Sequence, residues 1–256
     1  MRLTDDQIKS YRRDGFLLLP DVFAGERLAA LQAARDRIAA MPARPWNFLE
    51  AEGGPVRAYN ACHWDESVFA DLVSAPECLT PARQILGGEV YLHQFKMNPK
   101  APFGTSTGWG WHQDYVNWRD FDGMPENRAL NVAVLLDDAT EVNGPLYLIP
   151  GSHRETALGQ SRADRTPGVT ATEVGPDDVR RLADAAGIVS ATAAAGGMLL
   201  FDPMIVHASA PNISPWTRFT VYLTYNHAKN RLTRPTRPEH VAARDATPLR
   251  LAGEAA

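Results

Sequence analysis

Val90-Tyr91-Leu92-His93-Gln94-Phe95-Lys96-Met97-Asn98 is the stretch that decides how this chain folds. Polar and apolar residues alternate along it, and a period of two marks a strand whose successive side chains point to opposite faces. Gln94, Lys96 and Asn98 therefore share one face, with His93, Phe95 and Met97 on the other. Three polar side chains on one strand face imply a wet cavity rather than a closed core.

Before this strand the texture is helical. Thr4-Asp5-Asp6-Gln7 fits a capping box that opens a short helix ending near Gly15, and Phe16-Leu17-Leu18-Leu19-Pro20 reads as a buried strand stopped by proline. Leu28, Leu31 and Ile38 mark the apolar stripe of a second helix over 26–38, and 76–86, closed by Gly87-Gly88, is a third. From Glu89 onward short strands alternate with turn signals: 130–136, then Asn143-Gly144-Pro145 before 146–149, then 198–201 and 219–225. Along the last of these Arg218, Thr220, Tyr222 and Thr224 share a face. Helices followed by many short strands predict an α+β fold, with a double-stranded β-helix (jelly-roll, cupin-like) core and the N-terminal helices packed on one sheet. A single domain over 1–256 is expected, with a helical part at about 1–88, the jelly roll at about 89–230 and a tail at about 231–256. The polar stretch 154–175, poor in large apolar residues, is the expected lid.

The chain has 256 residues, 45% of them hydrophobic, enough for one substantial core. A formal net charge of -4 and a pI near 6.0 provide no basic field for phosphate backbones, so nucleic acid is not an expected partner. No run approaches the roughly 20 apolar residues of a membrane span, and no secretory signal precedes the first helix. The expected location is cytoplasmic, as a monomer or homodimer, with Cys62 and Cys78 as buried thiols rather than a disulfide.

Chemistry enters with His112-Gln113-Asp114. Two metal-capable side chains that are one residue apart on an extended segment point the same way, and His207 on a neighbouring strand can complete a two-His-one-carboxylate face. Such a face suits Fe(II) better than Zn(II) and leaves positions open for a co-substrate and O2. Arg218 follows, and a guanidinium at the inner end of the pocket can grip a carboxylate in a bidentate fork, as the tail of 2-oxoglutarate requires.

Trp111-His112-Gln113-Asp114, Asn143-Gly144-Pro145-Leu146, Pro150-Gly151-Ser152-His153 and His207-Ala208-Ser209-Ala210-Pro211-Asn212 closely resemble the phytanoyl-CoA dioxygenase family of Fe(II)/2-oxoglutarate oxygenases. The likeness runs from the first helix to Arg237-Pro238-Glu239. Within the family the chain is most similar to the hydroxylases of ectoine and of free amino acids such as leucine, through 93–98, Trp118 to Pro125, and 244–249. The resemblance implies that His112, Asp114 and His207 ligate iron and are the catalytic set. It implies 2-oxoglutarate held by Arg218 and Ser209, with Gln94 and Asn98 contributing and Trp109 packing beside it. Substrate-side positions by the same resemblance are Lys96, Trp118, Tyr222 and Arg57. The retained Asp114 points to hydroxylation rather than halogenation.

The expected reaction is hydroxylation of an unactivated C–H bond in a small polar metabolite, a free amino acid or an ectoine-like compound, with release of succinate and CO2. The same chemistry on a natural-product scaffold or a carrier-tethered acyl group is the alternative, and a metal-free jelly-roll binding module is the remote one. His153 reads as a turn residue, and His63, His93, His227 and His240 as structural or surface residues.

Overall fold

The structure, a computed structural model, describes residues 1–104, 107–166, 169–251 and 254, with backbone alone for 162–166 and 169–171. The Thr4 hydroxyl accepts the Gln7 N–H at the start of α1 (Asp5–Asp14), the Gln7 side chain accepts the Thr4 N–H, and Gly15 ends the helix at φ 83°. The chain continues through β1 (Phe16–Leu19), α2 (Gly25–Ala40), β2 (Phe48–Leu49), β3 (Val56–Asn60), α3 (Ser67–Val73) and α4 (Pro76–Leu86). Then follow β4 (Val90–Lys100), β5 (Trp109–His112), α5 (Asp114–Asp122), β6 (Ala129–Leu135) and β7 (Leu146–Leu148). β8 (Gln160–Thr166), β9 (Val169–Val174), α6 (Pro176–Ala186), β10 (Val189–Ser190), β11 (Met198–Phe201), β12 (His207–Ser209) and β13 (Arg218–His227) complete it.

Two antiparallel sheets form the jelly roll. The major sheet has the order β1-β11-β6-β13-β4-β3-β2 and the minor sheet β10-β7-β12-β5. Alternation sorts the major sheet's side chains. Phe95, Met97, Val132, Val134, Leu200, Val221, Leu223 and Tyr225 face outward and bury against Tyr11, Leu31, Ile38, Phe69, Leu72 and Leu79 of the helices. On the opposite face Gln94, Lys96, Asn98, Asn131, Arg218 and Tyr222 line a cavity. β1, β2 and β3 belong to the same sheet as β4, so the helical part at 1–88 and the strands after it share one sheet rather than meeting at a seam.

Two expectations change here. His93 does not stay with Phe95 and Met97: Thr224 pairs with Gln94 while Tyr225 pairs with Leu92, so His93 is the extra residue of a bulge. A bulge re-aims its side chain, and the His93 ring lies edge-on to Trp118 with centroids 5.1 Å apart. The stretch 154–175, expected as a lid loop, contains the ribbon β8–β9; residues 167–168 and the side chains of 162–171, on which a lid would depend, lie outside the described residues. Where it is described, the ribbon leans on the site, with Gln160 Nε2 donating to Gln113 Oε1 at 3.0 Å and the Thr172 N–H to Asn117 Oδ1 at 3.2 Å.

Gly196 joins the N-terminal segment to the major sheet. Its carbonyl accepts the N–H groups of Val22 and Phe23 at 3.1 and 3.0 Å, its φ is +88°, and a Cβ there would run into the Phe23 carbonyl oxygen. Gly196→Ala is expected to cost about 2 kcal/mol or more, a drop of roughly 4–8 °C in melting temperature for a chain of this size, measurable by calorimetry.

Candidate active site

The end of β5 and the start of α5 build the site's first side. His112 is the last residue of β5, Gln113 keeps extended angles (φ -120°, ψ 123°) as the helix N-cap, and Asp114 opens α5. The extended pair expected for His112 and Asp114 is thus a strand-to-helix corner. Gln113 anchors that corner, buried and donating to the Met204 carbonyl at 2.6 Å. β12 lies beside β5 with His207 directly opposite His112 and Ser209 opposite Trp109. Ligand atoms of His112, Asp114 and His207 all fall within 4.8 Å of one another.

The protonation pattern suits a cation. His112 Nδ1 lies 2.7 Å from the Gly110 carbonyl and His207 Nδ1 3.0 Å from the Ile205 carbonyl; a carbonyl only accepts, so each Nδ1 carries a proton and Nε2 is the ring nitrogen left for a ligand role. These Nε2 atoms stand 3.5 and 3.8 Å from the Asp114 oxygens. Burial and the neighbouring His112 push His207 down to about 4, so its ring is neutral near pH 7. Burial opposes ionisation of Asp114, yet His207, His112 and Lys96 outweigh it and hold the carboxyl well below the usual range. Two imidazoles and one carboxylate on one side of a cavity are the donor set of a facial Fe(II) site.

The cavity, about 220 Å³, lies between the two sheets. Arg218 and Lys100 are cross-strand partners at one end of the β4–β13 pair, Lys96 and Tyr222 pair further along, and Gln94 and Thr224 further still. Arg218 gives Nη1 to Thr220 Oγ1 at 2.6 Å and Nη2 to the Gly144 carbonyl. Its Nε is buried without a hydrogen-bond partner among the described residues, as are Ser209 Oγ and Asn98 Oδ1. Arg218 Nε and Ser209 Oγ are donors that a carboxylate can satisfy, and they lie beside two cations, whereas Asn98 Oδ1 can only accept. Burial, with Arg218 and Arg57 nearby, pushes Lys100 down to about 7.

Of the residues expected at the site, His112, Asp114, His207, Arg218, Ser209, Gln94, Asn98, Trp109, Lys96, Trp118 and Tyr222 all line this one cavity. Arg57 does not. It is 3% exposed, pairs with Glu50 at 2.8 Å, bonds to Thr107 and the Gly108 carbonyl, and stacks on the Trp109 ring at 3.8 Å to the centroid. Its guanidinium is thus engaged by Glu50, Thr107 and Gly108 beside the Trp109 indole. Lys100, Asn131, Arg237 and His240 line the cavity and were missed. Period two carried two residues past Asn98 reaches Lys100, and Asn131 is a lone amide in an apolar strand; both signals were available. Arg237 and His240 sit in the tail after β13, where no pattern marks them. Cys62 and Cys78 are free and buried, as expected.

This combination of jelly roll and site defines a dioxygenase that uses Fe(II) and 2-oxoglutarate, and the metal-free alternative falls. The family model for phytanoyl-CoA dioxygenase (PhyH) matches residues 11–220, and the chain belongs to that family. The ectoine dioxygenase of Bordetella parapertussis is 41% identical over 95% of this chain and 83% of its own length. L-proline trans-4-hydroxylase of Streptomyces griseoviridis is 38% identical over 96% of this chain and 95% of its own. The crystal structure of EctD from S. alaskensis with 2-oxoglutarate and 5-hydroxyectoine superposes with a TM-score of 0.85 at 33% identity, covering 97% of this chain and 87% of that one.

Glu50 and Arg57 form a pair whose side chains are 8% and 4% exposed. Removing one partner strands a buried charge, so Glu50→Ala should cost about 3–5 kcal/mol in denaturant unfolding, while Glu50→Leu with Arg57→Met should recover much of that loss.

Proposed function

We propose that the protein hydroxylates an unactivated C–H bond in a small carboxylate-bearing metabolite, a free amino acid or an ectoine-like compound. The co-substrate 2-oxoglutarate leaves as succinate and CO2. The observation that carries this reading is one cavity in which the His112–Asp114–His207 face looks onto buried cations. Those three residues would hold the iron, which with 2-oxoglutarate and O2 supplies the oxidising chemistry. Arg218 and Lys100 would receive the distal carboxylate, with Ser209 and Asn98 at hand and Trp109 as a wall braced by Arg57.

Substrate recognition falls to the remaining lining. Lys96 Nζ has no hydrogen-bond or ion-pair partner among the described residues and lies 5.6 Å from the Tyr222 ring centroid. It offers a carboxylate its counter-charge. Gln94 Nε2 donates to the Val241 carbonyl, which can only accept, so Gln94 Oε1 is left to accept a substrate N–H. Trp118 and Tyr222 supply apolar walls. The relatives named as acting on ectoine and L-proline support this class, as both compounds join a carboxylate to ring nitrogen. A cavity of 220 Å³ is below the roughly 300–1,000 Å³ of sites for drug-sized ligands, which favours a small metabolite over a carrier-tethered chain. A cytoplasmic monomer or homodimer without nucleic-acid partners accords with the net charge of -4, the free buried thiols and the lack of a membrane-length apolar helix among the described residues.

Succinate formation, measured across the twenty amino acids, ectoine and close analogues, should rise with one carboxylate-bearing member. If none stimulates turnover in protein that forms the Fe(II)/2-oxoglutarate charge-transfer band, the substrate class is wrong. With that substrate, Lys96→Met should raise KM at least tenfold and change kcat less.

Lys100 also sets a pH dependence. Its ammonium is held down to about 7 in the free protein, and an arriving carboxylate favours the charged form. Affinity for 2-oxoglutarate should therefore be highest below pH 7 and fall as pH rises above it, with a proton taken up on binding. Anaerobic titrations at pH 6.5 and 8.5 test this, and Lys100→Met should remove the difference.

A further inference from the structure

Asn131 is the polar residue in β6, whose sequence is otherwise Ala129-Leu130 and Val132-Ala133-Val134-Leu135, and it is 3% exposed. A buried amide is costly unless both of its ends are paired. Here both are. Its Nδ2 donates to Asp114 Oδ2 at 2.8 Å, and its Oδ1 accepts from Thr224 Oγ1 at 2.7 Å.

The direction of this relay is dictated by chemistry. An ionised carboxylate only accepts, so the amide must turn its NH2 toward Asp114 and its carbonyl toward Thr224. The hydroxyl of Thr224 is then obliged to donate. Thr224 is the cross-strand partner of Asn131, so the two sit at a fixed register on neighbouring strands of the major sheet. The two histidines donate their outer hydrogen bonds to nearby backbone carbonyls, whereas Asp114 accepts this one from a side chain on the opposite sheet.

We propose that Asn131, oriented by Thr224, is the positioning residue for the iron-binding carboxylate. It occupies Asp114 Oδ2 and leaves Oδ1 as the oxygen for the ion. Through it the corner that holds His112 and Asp114 is tied to β13, the strand that also carries Arg218. This rests on the iron reading above. Outer-shell partners of metal ligands typically govern metal affinity by 10–100-fold.

Anaerobic Fe(II) titration, with Co(II) absorption as a spectroscopic second measure, tests the relay. Asn131→Leu preserves shape but removes both bonds, and its Fe(II) dissociation constant should rise by about 10–100-fold with an altered Co(II) spectrum. Thr224→Val should weaken binding several-fold, Thr224→Ser should restore it, and the double variant should bind no more weakly than Asn131→Leu alone, because Thr224 acts through Asn131. Wild-type affinity and Co(II) spectrum in Asn131→Leu would overturn the proposal, as would full additivity of the two losses. If Asn131→Leu fails to give a cooperative melting transition, the contrast between Thr224→Val and Thr224→Ser decides: equal affinities overturn the proposal. Absence of Fe(II) binding in the wild type would overturn the iron reading and this one together, whereas binding in the wild type that the variants share defeats this one alone.

Discussion

The antiparallel pairing of β12 with β5 is the constraint on which the rest of the site depends. It sets His207 across from His112, and one shift of register would turn either imidazole away from the cavity. The same pairing brings Ser209 opposite Trp109, so residues for the metal and residues for the co-substrate come from one short ladder. Asp114 joins them because the strand ends at His112 and a helix begins after Gln113, a corner held by the buried Gln113 amide. Both β5 and β12 are only a few residues long, and their placement comes from the sheets around them rather than from their own propensity.

A second constraint is charge. Arg218, Lys100 and Lys96 face a space enclosed by two sheets, and burial lowers the basicity of all three. Cations in such a place oppose folding of the empty protein and strengthen its hold on anions, so part of the structure's stability is deferred until carboxylates bind. The donors Arg218 Nε and Ser209 Oγ, unpartnered among the described residues, belong to the same pattern. By contrast Arg57, close in space, is neutralised by Glu50 and serves as a brace for Trp109. Two arginines within a few residues of the cavity thus do different work, and the presence of a carboxylate partner separates them.

The outer face of the major sheet explains why so polar an interior is tolerated. Every second residue of β4, β6, β11 and β13 packs against the N-terminal helices, and that apolar layer holds the strands in register whatever the cavity contains. The inner face is thereby free to carry amides, cations and hydroxyls. Alternation along β4 and β13 was legible in the sequence, and with it the shared faces of Gln94, Lys96 and Asn98 and of Arg218, Tyr222 and Thr224. The bulge at His93 was not, since an extra residue in one strand shows only against its partner.

Residue order along the chain determined the helix caps, the alternating strands, the metal-capable set His112, Asp114 and His207, and the arginine that follows it. Those are local properties: side-chain chemistry and the periods of helix and strand. Tertiary structure alone decided that Asp114 opens a helix, that Arg57 is consumed by Glu50, that Arg237 and His240 of the tail reach the cavity, and that Asn131 meets Asp114. Each of these joins residues far apart in the chain, and such contacts are set by how two sheets close on one another, which no local period encodes.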